Sequence, residues 1–207
     1  ENKGIVIDPQ MDKNFDIPNL TTKDREAIQL GLKEGIGFVA ASFMRNIEAV
    51  REVKKISNYK MKIISKIECK DALKNLDDII SESDYLLIDR GDLSKEIPIE
   101  KIPFTQKIIL NRANNANKKV FVATNLLESM ISNRKPTRSE VHDILNTIVD
   151  GAYGLTLAAE TAIGNHPIGC INMLNKIIRH SNLVINANEI RNKEKEFVQY
   201  LEKNNYL

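Results

Sequence analysis

At 207 residues, with 42% apolar and 28% charged side chains, the chain has the composition of an ordinary globular protein with one sizeable core. Its 30 basic and 28 acidic residues are interspersed and leave a net charge of +2, which argues against a nucleic-acid groove or a charged membrane-binding surface. The longest apolar runs, such as Phe38-Val39-Ala40-Ala41, fall far short of a bilayer span, and the N-terminus shows no signal- or transit-peptide pattern.

Reading along the chain, Thr22-Lys23-Asp24-Arg25 opens a helix running to about Lys33, and a Val/Ile/Leu-type run follows at Gly37 to Phe43. Asn46 then precedes a second helix that starts at Ile47. Further apolar runs stand at Met61 to Ile67, Tyr85 to Asp89, Lys119 to Thr124 and Tyr153 to Ala158. Their continuous apolar character predicts strands buried on both faces of a parallel sheet. A helix is expected from Lys101 to Asn117, a short one near Leu126 to Ile131, a longer one from Ser139 to Asp150, and another from Ile168 to His180. The remaining residues, 182–207, mix Ile190, Phe197, Val198 and Leu201 with many charges and read as a C-terminal helical tail. Cys69 and Cys170 lie about a hundred residues apart and read as small buried or half-buried thiols of a reducing cytoplasm.

The five strands recur roughly every 23 to 35 residues, the spacing of repeated βα units. An open doubly wound sheet and a slice of a (β/α)8 barrel fit this pattern equally well. No Gly-rich dinucleotide fingerprint follows any strand, which weakens the nucleotide-binding version of the open sheet.

Parallel α/β folds carry their chemistry at the C-terminal ends of the strands. Those ends hold Ser42, Phe43 and Arg45, then Lys66-Ile67-Glu68, then Asp89-Arg90-Gly91-Asp92, then Thr124-Asn125, then Glu160-Thr161. Lys66 and Glu68, two residues apart, point to one side, and Asp92 on the neighbouring strand comes within reach of Glu68. Two carboxylates so placed suit a hard divalent cation, and a lysine beside it can neutralise a phosphate or an enolate. A plain rim salt bridge between Lys66 and Glu68 is the competing reading. Gly91 allows a tight turn whose amides could face an anion, although Arg-Gly-Asp is more often only a turn. Thr124 could orient a carboxylate, relay a proton, or cap the helix that follows it. His142, His166 and His180 show no metal-ligand spacing.

A set of longer motifs adds a family resemblance. Asn2-Lys3-Gly4-Ile5 and Pro18-Asn19-Leu20-Thr21-Thr22-Lys23-Asp24 come first, followed by Phe38 to Arg45 and by Ile63-Ile64-Ser65-Lys66-Ile67-Glu68. Arg90-Gly91-Asp92-Leu93 with Glu96-Ile97-Pro98, Ala123 to Met130, Pro136-Thr137-Arg138-Ser139-Glu140, and Glu160 to Gly164 with Pro167 complete the set. In order and near-spacing these segments resemble the later part of the catalytic barrel of pyruvate kinases, after the mobile lid, over about residues 2 to 181. The resemblance implies a TIM-barrel type (β/α)8 fold with about five of its eight βα units in this chain. The domain expectation is therefore a partial barrel over 1–181 and a tail over 182–207.

The resemblance also assigns roles. Lys66 would stabilise the enolate and the transferring phosphoryl group, and Glu68 and Asp92 would hold Mg2+. The Gly91 and Asp92 amides with Thr124 would bind the phosphoenolpyruvate carboxylate, with Ser42 and Arg90 as further substrate-binding candidates. Thr124 would help deliver a proton to the enolate carbon. The implied reaction converts phosphoenolpyruvate and ADP to pyruvate and ATP; K+ is implied too, with its ligands outside this chain. The first three barrel strands, the lid and the regulatory domain also fall outside it. The chain could be a piece of a larger enzyme, which the opening Glu1 suits, an associate of a second chain, or a reduced relative. A homo-oligomer or association with the missing barrel segment is expected.

Several positions depart from the family pattern. Asp89 stands at an Ala position, Ser94 at a Gly, Asn125 at a Gln, and Ala158-Ala159 at Ser-Gly, while 6–15 replaces a shorter stretch. These changes are expected to weaken nucleotide and phosphate handling more than metal binding. Two other functions therefore stay in play: a Mg2+-dependent lyase or aldolase acting on pyruvate or a related 2-oxo acid, and a non-catalytic module.

Overall fold

The computed structural model describes residues 18–185, together with 198–199 and 202–203. The motif at Asn2 to Ile5, the departure at 6–15 and most of the expected tail lie outside the described residues.

Helix α1 (Thr22–Lys33) is started by a capping box in which Thr21 and Asp24 satisfy each other's backbone N–H groups. Strand β1 (Phe38–Ala41) is followed by α2 (Ile47–Ile56), whose N-cap Asn46 accepts from the Ala49 N–H at 2.9 Å. Next come β2 (Lys62–Ile67), the short helices α3 (Lys70–Lys74) and α4 (Leu76–Glu82), and β3 (Tyr85–Asp89). Helix α5 (Arg90–Glu96) begins at once, capped by the Asp89 side chain. A 3-10 turn leads into α6 (Ile102–Asn115), then β4 (Lys119–Ala123), a 3-10 turn at Glu128–Ile131, and α7 (Arg138–Val149). Strand β5 (Gly154–Thr156), α8 (Ala159–Ala162) and α9 (Pro167–Ile185) complete the described chain.

All five predicted strands exist; β3 coincides with its apolar run and the other four are shorter than theirs. Helices α3, α4, α5 and α8 were not read from the sequence, and the short helix expected near Leu126 is a 3-10 turn. Helix α9 continues to Ile185, through the expected 181/182 boundary.

The strands form one parallel sheet in the order β1-β2-β3-β4-β5. A doubly wound sheet requires a reversal of strand order, and none occurs here. Right-handed crossovers between strands taken in sequence put their helices on one face, as in a segment of a (β/α)8 barrel. Burial agrees. Ile63, Ser65, Ile67, Leu86, Ile88, Val120 and Val122 have no solvent exposure and pack on Val50, Val53, Ile79, Ile109, Leu110 and Ala113 of the helices. Each such aliphatic side chain contributes about 1.5–3 kcal/mol of burial free energy. A second cluster joins Leu126, Leu127, Met130, Ile144, Cys170, Leu174 and Ile177 under the β5 end.

The opposite face is different, and here the expectation of two buried faces is corrected. Ile64, Lys66, Tyr85, Leu87, Asp89 and Phe121 on that face are only half-buried, because five strands supply no opposing wall. Near the N-terminal strand ends an aromatic row crosses it, Phe38 to Tyr85 to Phe121 to Tyr153, with ring centroids 5.5 to 6.1 Å apart. Lys66 and Asp89 lie on the same face at the other end.

Candidate metal and anion site at the strand tips

Register brings the site together. Lys66 pairs with Leu87 and Ile67 with Ile88, so Glu68, one step on, comes level with Asp89. Asp89 in turn pairs with Ala123, which sets Thr124 beside the start of α5.

Glu68 is the buried member, with 1% exposure. One carboxylate oxygen accepts from the Phe43 N–H at 2.7 Å. The other, Oε1, is fully buried, and its partner is the Lys66 ammonium, with which it forms an ion pair. Lys66 also stands 3.2 Å from Asp89 Oδ2 and 3.4 Å from the Ser42 hydroxyl, to which it donates. Burial pulls the Lys66 pKa down, but the Glu68 and Asp89 carboxylates outweigh it and hold the ammonium above the ordinary lysine value.

Asp92 sits in the first turn of α5 and is ion-paired to Lys95 at 2.6 Å. Oxygens of Glu68, Asp89 and Asp92 all lie within 4.8 Å of one another, a spacing that one divalent cation can bridge. Among the described residues this is the only such group of possible ligands, and no histidine belongs to it.

Thr124 has a left-handed backbone, φ 69°, as do its neighbour Asn125 (53°) and, across the site, Phe43 (51°). For a β-branched residue that conformation is costly and persists only where surroundings enforce it. It turns the hydroxyl to accept from the Gly91 N–H at 2.8 Å, with Ala123 O at 2.6 Å and Asp89 Oδ1 at 3.3 Å as acceptors for its own proton. Thr124 does not cap the turn that follows it, whose N-cap is Leu127; its hydroxyl instead takes a first-turn N–H of α5.

Arg90 explains what enforces the turn. It is 9% exposed, and its guanidinium donates twice to Thr124 O (2.7 and 3.1 Å), to Asn125 O (2.9 Å) and to Asp143 (2.6 Å). The geometry thus gives no support to Arg90 as a substrate-binding residue; its charge is spent on the backbone under the site. Gly91 is helical rather than the apex of a turn, with the Asp89 and Thr124 side chains against its face. Glu160, another strand-tip residue, is buried and accepts from the Leu126, Leu127 and Ala158 N–H groups, tying the β4 and β5 loops together.

Of the sequence candidates, then, Lys66, Glu68, Asp92, Thr124, Gly91 and Ser42 converge, whereas Arg90 faces away. Asp89 is the member that sequence reasoning placed at a strand end and noted as a departure without giving it a role. Its signal was an N-cap residue three positions before Asp92, ahead of the helix-forming Leu93-Ser94-Lys95-Glu96.

The family model for the barrel domain of pyruvate kinase matches residues 1–171. The chain belongs to the pyruvate kinase barrel-domain family. Among its curated relatives, the pyruvate kinases of Thermotoga maritima and Methanocaldococcus jannaschii are each 44% identical, over 81% of this chain and 37% and 38% of their own lengths. The pyruvate kinase of Dictyostelium discoideum is 38% identical over 89% of this chain and 36% of its own length. The chain therefore spans well under half the length of the pyruvate kinases it matches. Its five-stranded sheet is a partial (β/α)8 barrel. No helix among the described residues is long and apolar enough to cross a membrane.

Proposed function

We propose that this chain carries the enolate side of a pyruvate-kinase-type phosphotransferase site, at work when the rest of the barrel is joined to it. The observation that carries this reading is the convergence of three carboxylates on Lys66: Glu68, buried and ion-paired to it, has oxygens within bridging distance of Asp89 and Asp92. Lys66 is the counter-charge of the buried Glu68, and the further negative charge of Asp89 and Asp92 beside it favours a divalent cation at the same place. Glu68 and Asp92 fit Mg2+, which when bound would neutralise anionic oxygens of the substrates.

The reaction moves the phosphoryl group of phosphoenolpyruvate to the terminal phosphate of ADP; one P–O bond breaks, one forms, and the enolate left behind takes a proton at carbon. Lys66 supplies a fixed positive charge where the bridging and enolate oxygens bear negative charge. Its raised pKa keeps it an ammonium at neutral pH. Thr124, held by the left-handed turn, presents a hydroxyl that can hand its proton to the enolate carbon and regain one from water. Ser42 steadies the Lys66 side chain.

Closure of the barrel is part of the proposal. The free edges of β1 and β5 and the half-buried inner face, with Phe38 53% and Tyr153 56% exposed, call for further strands from the same or another chain. Self-association through α7 and the segment before it is a further expectation. Two unbonded, buried thiols, Cys69 and Cys170, suit a reducing cytoplasm.

The test is a coupled assay of the complete protein with phosphoenolpyruvate, ADP, Mg2+ and K+. Pyruvate should form, and Lys66→Met should lower the rate by about a hundredfold or more. Absence of pyruvate formation above the Lys66→Met level overturns the reading.

A further inference from the structure

Two donors stand at the strand tips, the Lys66 ammonium and the Thr124 hydroxyl, and one acceptor faces both. Asp89 Oδ2 lies 3.2 Å from Lys66 Nζ, and Oδ1 lies 3.3 Å from Thr124 Oγ1 and 3.5 Å from the Asp92 N–H. The Asp89 side chain is 13% exposed, so these contacts are sheltered from solvent. They are the donors that any small carboxylate-bearing ligand would need at this spot. Charge points the same way. Lys66 and Lys95 give two positive charges against three negative ones on Glu68, Asp89 and Asp92, a local balance of −1.

We propose that Asp89 is a specificity-determining residue that stands in for an incoming carboxylate: it pairs with Lys66 and lies against the Thr124 hydroxyl from within the chain, and an anionic ligand binds only by displacing it. The inference rests on the phosphotransferase reading of the same site and deepens it. With Asp89 in place the ligand competes against a tethered acceptor and meets an extra like charge. Replacement by the small apolar residue of the family pattern removes that acceptor from both, leaving Lys66 its ion pair with Glu68 and Thr124 its 2.6 Å bond to Ala123 O. Asp89 is also the N-cap of α5, so Asp89→Asn is the milder variant: it keeps an acceptor for the Asp92 N–H and removes only the charge.

The experiment uses the complete protein and two probes, Mn2+ followed by electron paramagnetic resonance and oxalate followed by calorimetry in saturating Mn2+. Wild type, Asp89→Ala, Asp89→Asn and a Glu68→Ala control are compared after thermal melts establish that each is folded. The expected result is Mn2+ affinity within about threefold of wild type for both Asp89 variants, with oxalate bound about tenfold tighter or more. Oxalate affinity unchanged or weakened in both variants overturns the proposal and leaves the phosphotransferase reading standing. A loss of Mn2+ affinity beyond about tenfold in Asp89→Asn makes Asp89 a cation ligand and likewise overturns it. If wild type binds Mn2+ no better than Glu68→Ala, the reading of the site fails and this inference fails with it.

Discussion

The guanidinium of Arg90 grips the carbonyl oxygen of Thr124 with two N–H groups, at 2.7 and 3.1 Å. That contact, with a third to Asn125 O, over-determines a backbone conformation that a threonine would otherwise avoid. The Thr124 hydroxyl is therefore positioned through its backbone by Arg90.

Arg90→Met should separate these roles. It leaves two part-buried carbonyls without their donor, for a loss of about 1–3 kcal/mol in unfolding free energy. Pyruvate formation should fall in kcat with little change in KM, since the binding charge on Lys66 is untouched. Arg90→Lys should restore less than half of the stability, because an ammonium cannot span both carbonyls and Asp143. A fall confined to KM would show that Arg90 binds substrate directly.

Lys66→Met removes the counter-charge of the buried Glu68 as well as the proposed catalytic ammonium. Without metal the variant should melt several degrees below wild type, a loss of about 3 kcal/mol for an orphaned buried carboxylate. Added Mg2+ should raise its melting temperature by more than it raises that of wild type, because the ion replaces the missing positive charge. Equal gains in both proteins would place the cation elsewhere.

Acid stability should depend on Glu160. Burial works to raise its pKa, but the N–H groups of Leu127, Ala158 and Leu126, with its own, hold it below the ordinary value of 4.5. A depressed pKa means that the unfolded chain takes up the proton first. The stabilisation is thus complete above about pH 4.5 and is lost as the pH falls through the folded-state value. Glu160→Gln should cost about 1–3 kcal/mol at pH 7 and flatten the acid limb of a denaturation curve measured from pH 7 to pH 3. An unchanged acid limb would contradict this.

Gly91→Ala offers the reverse combination. A Cβ there would lie 3.4 Å from Asp89 Oδ1 and 3.6 Å from Thr124 Oγ1, ordinary contact distances. In helix α5 the substitution should preserve stability or raise it by up to about 1 kcal/mol. The added methyl nevertheless fills space between the two side chains that line the anion position, so oxalate binding in Mn2+ should weaken about tenfold or more. A variant that binds oxalate normally would move the anion elsewhere.

Much of this was legible in the residues. Apolar runs marked all five strands, Asn46 marked its helix start, and polar residues at strand ends named Lys66, Glu68, Asp92 and Thr124 before any coordinates. Such features are local: side-chain period, caps and the position of a residue relative to a strand end are set by the nearest few neighbours. Helices α3, α4 and α8 escaped because each is at most seven residues long, too short for a helical period to declare itself. Helix α5 escaped because Arg-Gly-Asp looks like a turn, and its Asp89 cap works only with the strand already in place.

The sequence by itself determined which segments are strands and which side chains reach their tips. Only the tertiary structure decided that the strands lie in sequential order, that one face of the sheet lacks a covering layer among the described residues, and that Arg90 turns under the site while Asp89 turns into it. The reason is physical. Past the end of a strand a side chain's direction follows from backbone dihedrals fixed by partners about 20 to 50 residues away, as Thr124 is by Arg90 and Arg90 by Asp143, and no nearest-neighbour rule contains those partners.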